Sequence, residues 1–537
     1  MCFFLANATT NSMDTARPPA FPTRIFYLAA VLYAISLFVK LGEQPVYLEE
    51  PRRALIAMEM EEAGNWLVPR QLGAFYYRKP PVFNWMVMLS AKATGGYGRW
   101  ALRLPTVFSL LATLLLLYSI GKRYEGPEFG RVWAALYAGS GAILFYFSLL
   151  GEIDLFYSFV TLGSMLAFFH FYQQKRYTQM FGWSYALAAV GLLTKGLPAI
   201  PFLGLTVLAW LAYEKRLKLL LAWQHGVGIG AFVAIAGGYL LAYHQYNSLD
   251  NYLADWLTES VGRTAVGNEL GRTIGHLATF PLDTLKDMLP GSLLLLLFAT
   301  RRDIWAKARQ HPLVAFGLVV FAANFLVYWF SPGARQRYIY MLYPLLYSVG
   351  VLGWQYRGEA PAWREGVFGH IVLGLMVALC LGSLGLNAVP AFDFLEGRLL
   401  ISLLGALAFG GLAFLVYQDR SRSLWALFFG LIAARLLFAF TVLPQRSQDS
   451  AGQRNTDIAT AIYEIVGEEP LCLYEGGRVS YTVIYELDRR RERTVVFCDT
   501  LVPGAFIMVP ADSFPAYRGL VDIPFHDGDF RLIEVPR

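Results

Sequence analysis

The sequence predicts a mainly α-helical, polytopic membrane protein with a small C-terminal α/β domain. Three observations lead there. Of 537 residues, 56% are hydrophobic and 16% charged, with a mean hydropathy of +0.44, whereas soluble domains carry roughly 25% charged residues. Apolar runs near the length that crosses about 30 Å of hydrocarbon recur from Ile25 to Leu443. Beyond residue 443 those runs stop and the pattern becomes that of a water-soluble domain. A single soluble globule, a disordered chain and a collagen-like rod are excluded. The 45 basic and 39 acidic residues leave a charge of +6, too little for a nucleic-acid binder of this length.

About thirteen spans are expected, near 25–41, 101–121, 130–150, 154–173, 180–194, 197–213, 225–243, 286–299, 312–330, 336–356, 366–387, 398–417 and 423–443. The first run ends at Gly-Glu-Gln instead of a small-residue cleavage site, so no cleavable signal is expected. Lys and Arg collect in alternate short loops: Lys122, Arg123 and Arg131; Lys175 and Arg176; Lys215, Arg216 and Lys218; Arg301, Arg302, Lys307 and Arg309; Arg357 and Arg364; Arg420 and Arg422. That alternation places the N-terminus in the cytoplasm and, with an odd number of spans, the C-terminus outside.

Residues 1–443 are therefore read as the membrane domain, with long outer loops at 42–100 and 244–285, and 444–537 as the outer domain. The first loop carries Glu59-Met60-Glu61-Glu62 and the stretch Phe75-Tyr76-Tyr77-Arg78-Lys79-Pro80-Pro81, the pattern of interfacial helices. Glu61 and Glu62 read as the solvated face of such a helix. In the outer domain a helical period covers Thr456 to Val466, and β-rich runs fall at 471–474, 494–498, 506–509 and 532–535. Cys472 and Cys498 sit in two of these runs, either as a disulfide or as two buried thiols.

The main functional signal is an asymmetry of charge. Tyr47, Glu49, Glu50 and Arg52 follow the first span, and Glu152 and Asp154 stand between two apolar runs. Lys195 sits at the break Thr194-Lys195-Gly196, Arg263, Arg272 and His276 lie on the second long loop, and Arg335, Arg337 and Tyr338 open a later span. Ionisable residues flanked by hydrocarbon-facing sequence pair with one another or mark a pathway. Glu49 or Asp154 suits proton removal from an acceptor. Lys79, Lys195, Arg335 and Arg337 suit a phosphate leaving group. Taken singly, each of these charges also fits a structural ion pair or an interfacial anchor.

Five motifs occur in order: Glu49-Glu50-Pro51-Arg52, Tyr77-Arg78-Lys79-Pro80-Pro81, Gly151-Glu152-Ile153-Asp154, Leu193-Thr194-Lys195-Gly196 and Arg337-Tyr338 before Tyr343-Pro344. The chain thereby resembles the aminoarabinose transferase and protein O-mannosyltransferase superfamily, the C-type membrane glycosyltransferases, and in its outer domain the lipid A aminoarabinose transferases. The resemblance implies inverting transfer of a sugar from a polyprenyl phosphate to an acceptor, most simply aminoarabinose to lipid A, at the outer face of the bacterial inner membrane, by a monomer. It implies catalytic roles for Glu49 and Asp154, with Glu50 as a substitute. Donor or phosphate contacts are implied for Arg52, Tyr77, Lys79, Lys195, Arg335, Arg337 and Tyr338, and further substrate contacts for Arg78, Glu152, Arg263, Arg272 and His276.

Two positions depart from the family pattern. Glu49 stands where an aspartate is usual, and Arg78 replaces a glutamate that in those relatives is a metal ligand. No metal or other cofactor is therefore expected, and another sugar, or a protein or polysaccharide acceptor, stays open. Rival readings are a lipid transporter or flippase, against which stands the lack of an internal repeat, and an inactive assembly scaffold.

Overall fold

The computed structural model describes residues 22–261, 270–448, 450–474, 480–523 and 529–536. Helices dominate. Seven are long and apolar enough to cross a membrane: Arg99–Glu125, Ile153–Gln173, Trp223–His244, Pro312–Trp329, Ala362–Ala388, Arg398–Gln418 and Arg420–Gln448. The pair Pro127–Ala138 and Gly141–Leu149, bent by 53°, makes an eighth if counted as one span. Thr23–Phe38 and Ala199–Tyr213 are apolar but shorter. The expected runs near 286–299 and 336–356 are not single helices. The first breaks into Ser292–Leu294 and the wider turn Leu295–Ala299, the second into a tight turn Gln336–Leu342 and the helix Tyr343–Gln355. Continuous apolarity marks burial in the bundle as readily as a full crossing.

Four elements frame the outer face: α1 (Thr23–Phe38), α2 (Glu50–Glu62), α3 (Val82–Thr94) and α4 (Arg99–Glu125). Pro51 at the start of α2 has no N–H to leave unsatisfied. Gly95 ends α3 in the left-handed region at φ 80°, where glycine carries no steric cost. Between α2 and α3 a short hairpin pairs β1 (Arg70–Gln71) with β2 (Ala74–Phe75). Glu59 of α2 is 5% exposed, and its carboxylate accepts hydrogen bonds from the N–H of Leu72 and, at 2.9 Å, of Gly73. Burial pushes its pKa up to about 7 in spite of those donors.

The C-terminal segment holds the helices Ala451–Val466 and Tyr481–Arg491 and the strands β3 (Leu471–Tyr474), β4 (Val496–Cys498), β5 (Phe506–Pro510), β6 (Gly519–Ile523) and β7 (Phe530–Glu534). The sheet order is β4-β3-β5-β7-β6. The pairs β3–β4 and β3–β5 are parallel, β5–β7 and β6–β7 antiparallel. Cys472 and Cys498 form a disulfide between the neighbouring strands β3 and β4.

This segment is fastened to the first outer loop. The N–H of Phe497 donates to the carbonyl of Leu72 at 3.0 Å, Thr494 N–H to Glu62 Oε2 at 3.0 Å, and Tyr485 OH to the carbonyl of Tyr97 at 2.7 Å. Glu62 is thus a tether, not only a solvated residue, and Glu61 takes a hydrogen bond from Tyr97 OH.

Candidate active site

Two acid–base clusters lie side by side where α2, α4 and the helix Ile153–Gln173 meet. The first is closed. Glu50 Oε1 accepts from Arg103 Nε at 2.8 Å and from Gly151 N–H at 2.6 Å. Its Oε2 accepts from Arg103 Nη2 at 3.1 Å and Tyr47 N–H at 2.9 Å. Arg103 also donates to the carbonyls of Leu41 at 2.6 Å and Pro45 at 3.2 Å. Both side chains are fully buried. Residue 151 has to be glycine here, since a Cβ would lie 2.5 Å from the carbonyl oxygen of Leu102. The expectation of Glu50 as a working acid is corrected: four donors occupy its lone pairs, and it ties α2 to α4 and to the loop before Ile153–Gln173.

The second cluster faces a cavity. Helix Tyr177–Lys195 ends where Gly196 takes φ 89°, which leaves Lys195 at a helix C-terminus. Asp154 lies in the first turn of Ile153–Gln173. Each charge is favoured by the partial charge of its own helix end. Lys195 Nζ donates to Asp154 Oδ1 at 2.5 Å and lies 5.0 Å and 4.6 Å above the rings of Tyr157 and Tyr338. Arg337, in the turn Gln336–Leu342, comes within 3.8 Å of Asp154 Oδ2 and 3.9 Å of Glu152 Oε2.

Glu152 links this cluster to Glu49, whose N–H donates to Glu152 Oε1 at 3.1 Å. Burial first, then the neighbouring Asp154 charge, pushes the Glu152 pKa up to about 7 against the opposing pull of Arg337 and the Glu49 N–H. Glu49 itself remains about a third exposed. Its Oε2 receives Arg52 Nη1 at 2.5 Å, with Arg53 at 3.8 Å.

The cavity, about 300 Å³, is lined by the cations Arg78, Lys79 and Lys195 and by Tyr157, Tyr338 and Ser331. The rest of its lining is mainly apolar and aromatic, including Leu197, Pro198, Pro201, Trp256, Val327 and Tyr328. Cations in a largely apolar slot suit an anionic headgroup joined to a hydrocarbon chain. Tyr157, Trp256, Tyr328 and Ser331 were not anticipated. Only Tyr157, one turn after Asp154, carried a positional signal.

Other expected residues fall elsewhere. Arg335 is exposed at the start of the turn Gln336–Leu342 and does not line the cavity, which corrects its assignment to the phosphate. Arg52 faces the C-terminal segment, 4.9 Å above the ring of Tyr481. Tyr77 receives Asn247 Nδ2 at 3.4 Å, beside Tyr252. His276 Nε2 meets the carbonyl of Tyr328 at 3.1 Å, directly behind the cavity wall. Arg272 lies on the helix Leu270–Asp287 with its side chain outside the described atoms, and Arg263 lies outside the described residues.

A metal ion of the kind the resemblance allows does not fit these residues. Arg78 puts a cation on the cavity wall, the one His276 nitrogen with an identified contact faces a carbonyl, and among the described residues no three His, Cys, Asp or Glu side chains converge.

The fold matches that of ArnT from Cupriavidus metallidurans, solved bound to undecaprenyl phosphate, with a TM-score of 0.68 and 17% identity over 95% of this chain and 98% of that one. The apo form matches at 0.65. Residues 78–239 match the family model described as dolichyl-phosphate-mannose-protein mannosyltransferase. A Pseudomonas aeruginosa (strain LESB58) protein named undecaprenyl phosphate-alpha-4-amino-4-deoxy-L-arabinose arabinosyl transferase is 27% identical over 84% of this chain and 82% of its own length. A Pectobacterium atrosepticum protein of the same name is 25% identical over 75% of this chain and 72% of its own. The chain is thus similar to the aminoarabinose transferases along most of its length and to the protein mannosyltransferase model over residues 78–239, the likeness its five motifs led us to expect, and it is a multi-pass membrane protein.

Proposed function

We propose that the protein transfers a sugar from a polyprenyl phosphate to an acceptor at the outer face of the bacterial inner membrane, with inversion at the anomeric carbon. One observation carries the reading: the Asp154–Lys195–Arg337 cluster borders a slot whose lining combines Arg78, Lys79 and Lys195 with apolar residues. The donor phosphate lies against Lys79 and Lys195, and the prenyl chain follows Pro198, Pro201 and Val327. The acceptor oxygen attacks the anomeric carbon as the bond to the phosphate oxygen breaks. Its proton passes to Glu49, the more accessible of the acids, and the phosphate leaves with its charge already compensated. Asp154 fixes the position of Lys195. No step needs a nucleotide or a metal.

By their names, the relatives point to aminoarabinose as the sugar, and we take lipid A as the acceptor. The N-terminus is assigned to the cytoplasm, and residues 444–537 to a periplasmic domain of a monomer. Arg78 in the slot favours a second version, in which another sugar or acceptor is used. Mass spectrometry of lipid A from cells with and without the gene tests the first version. An added aminoarabinose is expected only with the gene, and identical profiles would leave the second.

A further inference from the structure

Sharing no residue with the donor cavity, an open basin of about 370 Å³ is lined by Lys40, Gly42, Glu43, Arg99, Trp100 and Arg489. Its cations are held in place. The fully buried carboxylate of Glu486 pairs with both Arg99 at 3.3 Å and Arg489 at 2.7 Å, so one acid serves two guanidiniums. Arg99 Nη1 also donates to the carbonyl of Glu43 at 3.2 Å. Lys40 stands 3.6 Å from Glu43 and 5.6 Å above the ring of Phe440. The lining itself thus presents three cations and one carboxylate, Glu43, with Glu486 buried beneath them.

The floor of the basin is aromatic and continues along the membrane-facing side of the bundle. Trp100 stacks on Phe38 at 6.3 Å, and Phe38 meets Phe108 at 6.1 Å. Trp100, Phe108 and Ile35 stay exposed on α4 and α1. Gly42 is what lets the indole lie this close, because a Cβ there would sit 2.6 Å from Trp100. The adjoining basin adds Arg493 near Arg489, while Glu61, Glu62 and Glu492 line its walls as well.

Cations where two helices leave the membrane, above an exposed aromatic strip, match a phosphate headgroup with its acyl chain lying along the strip. We propose that this basin docks the headgroup of an anionic membrane lipid, as a site separate from the donor cavity. Exposed strip and cationic lining together favour a lipid over a free phosphate, which would gain nothing from Phe38 and Phe108.

Native mass spectrometry of the full chain released from nanodiscs of mixed dioleoylphosphatidylglycerol and dioleoylphosphatidylcholine tests it. Wild type is expected to retain the anionic lipid about tenfold over the zwitterionic one. The Lys40→Gln/Arg489→Gln variant is expected to lose that preference. Lys40→Gln by itself, which leaves Glu486 both of its guanidiniums, is expected to lose part of it while keeping the wild-type unfolding temperature in phosphatidylcholine alone, and serves if the double variant does not fold. Inorganic phosphate is expected not to displace the retained lipid. Equal retention of the two lipids by wild type, an unchanged preference in the variants, or displacement by inorganic phosphate would overturn the proposal.

Discussion

Glu50 with Arg103, and Asp154 with Lys195, are both buried carboxylate–cation pairs at the outer membrane boundary, yet they differ in what surrounds them. Every oxygen of Glu50 is matched by a donor, four in all. Asp154 has one short hydrogen bond, from Lys195, and a looser guanidinium at 3.8 Å, and its lysine borders the cavity. A saturated pair holds structure, and a pair left partly open beside a slot is free to act on something that enters it.

Substitution should separate the two clusters. Asp154→Asn, which releases the Lys195 that it positions, is expected to lower release of polyprenyl phosphate by about 10²-fold, the cost of a misplaced binding group, with a smaller fall in unfolding temperature than Glu50→Gln because Lys195 borders the cavity. Glu50→Gln should do the reverse. Breaking one partner of a buried pair costs about 3–5 kcal/mol, so its unfolding midpoint in detergent should fall sharply and activity should follow the folded fraction. If both substitutions acted alike on stability and turnover, the distinction between the clusters would be lost.

A smaller effect is expected from Glu59, which has a raised pKa but no cavity. Its folded pKa, about 7, lies above the ordinary glutamate value of 4.5. The folded state therefore holds the proton longer, and stability should fall as pH rises from about 4.5 to 7, by roughly 3 kcal/mol if this group alone is counted. Glu59→Gln should flatten that decline in a pH series of chemical unfolding, and an unchanged slope would mean that another group titrates.

Much of the candidate site was legible because its charges interrupt apolar sequence. Lys195 ends an apolar helix, and Glu152 and Asp154 stand between two runs. Which charges meet was not legible: nothing local joins Glu50 to Arg103, and Glu49 and Glu50 looked interchangeable until one was found enclosed. Trp256 and Tyr328 gave no signal, since an aromatic residue in an apolar helix reads the same whether it packs or lines a slot. In the fold, β3 was clear from Leu-Cys-Leu-Tyr, whereas β6, Gly-Leu-Val-Asp-Ile, has too weak an alternation to stand out. Helix length and apolarity mark seven crossings among the described residues, because short apolar helices read alike whether they span or lie buried.

Density for a polyprenyl phosphate in a cryo-electron microscopy map of the purified protein tests the central assignment most directly. The phosphate is expected within hydrogen-bonding reach of Lys79 Nζ and Lys195 Nζ, with the chain leaving past Pro201 and Val327. A phosphate seated elsewhere, with Lys195 still closed on Asp154 and the slot empty, would contradict it.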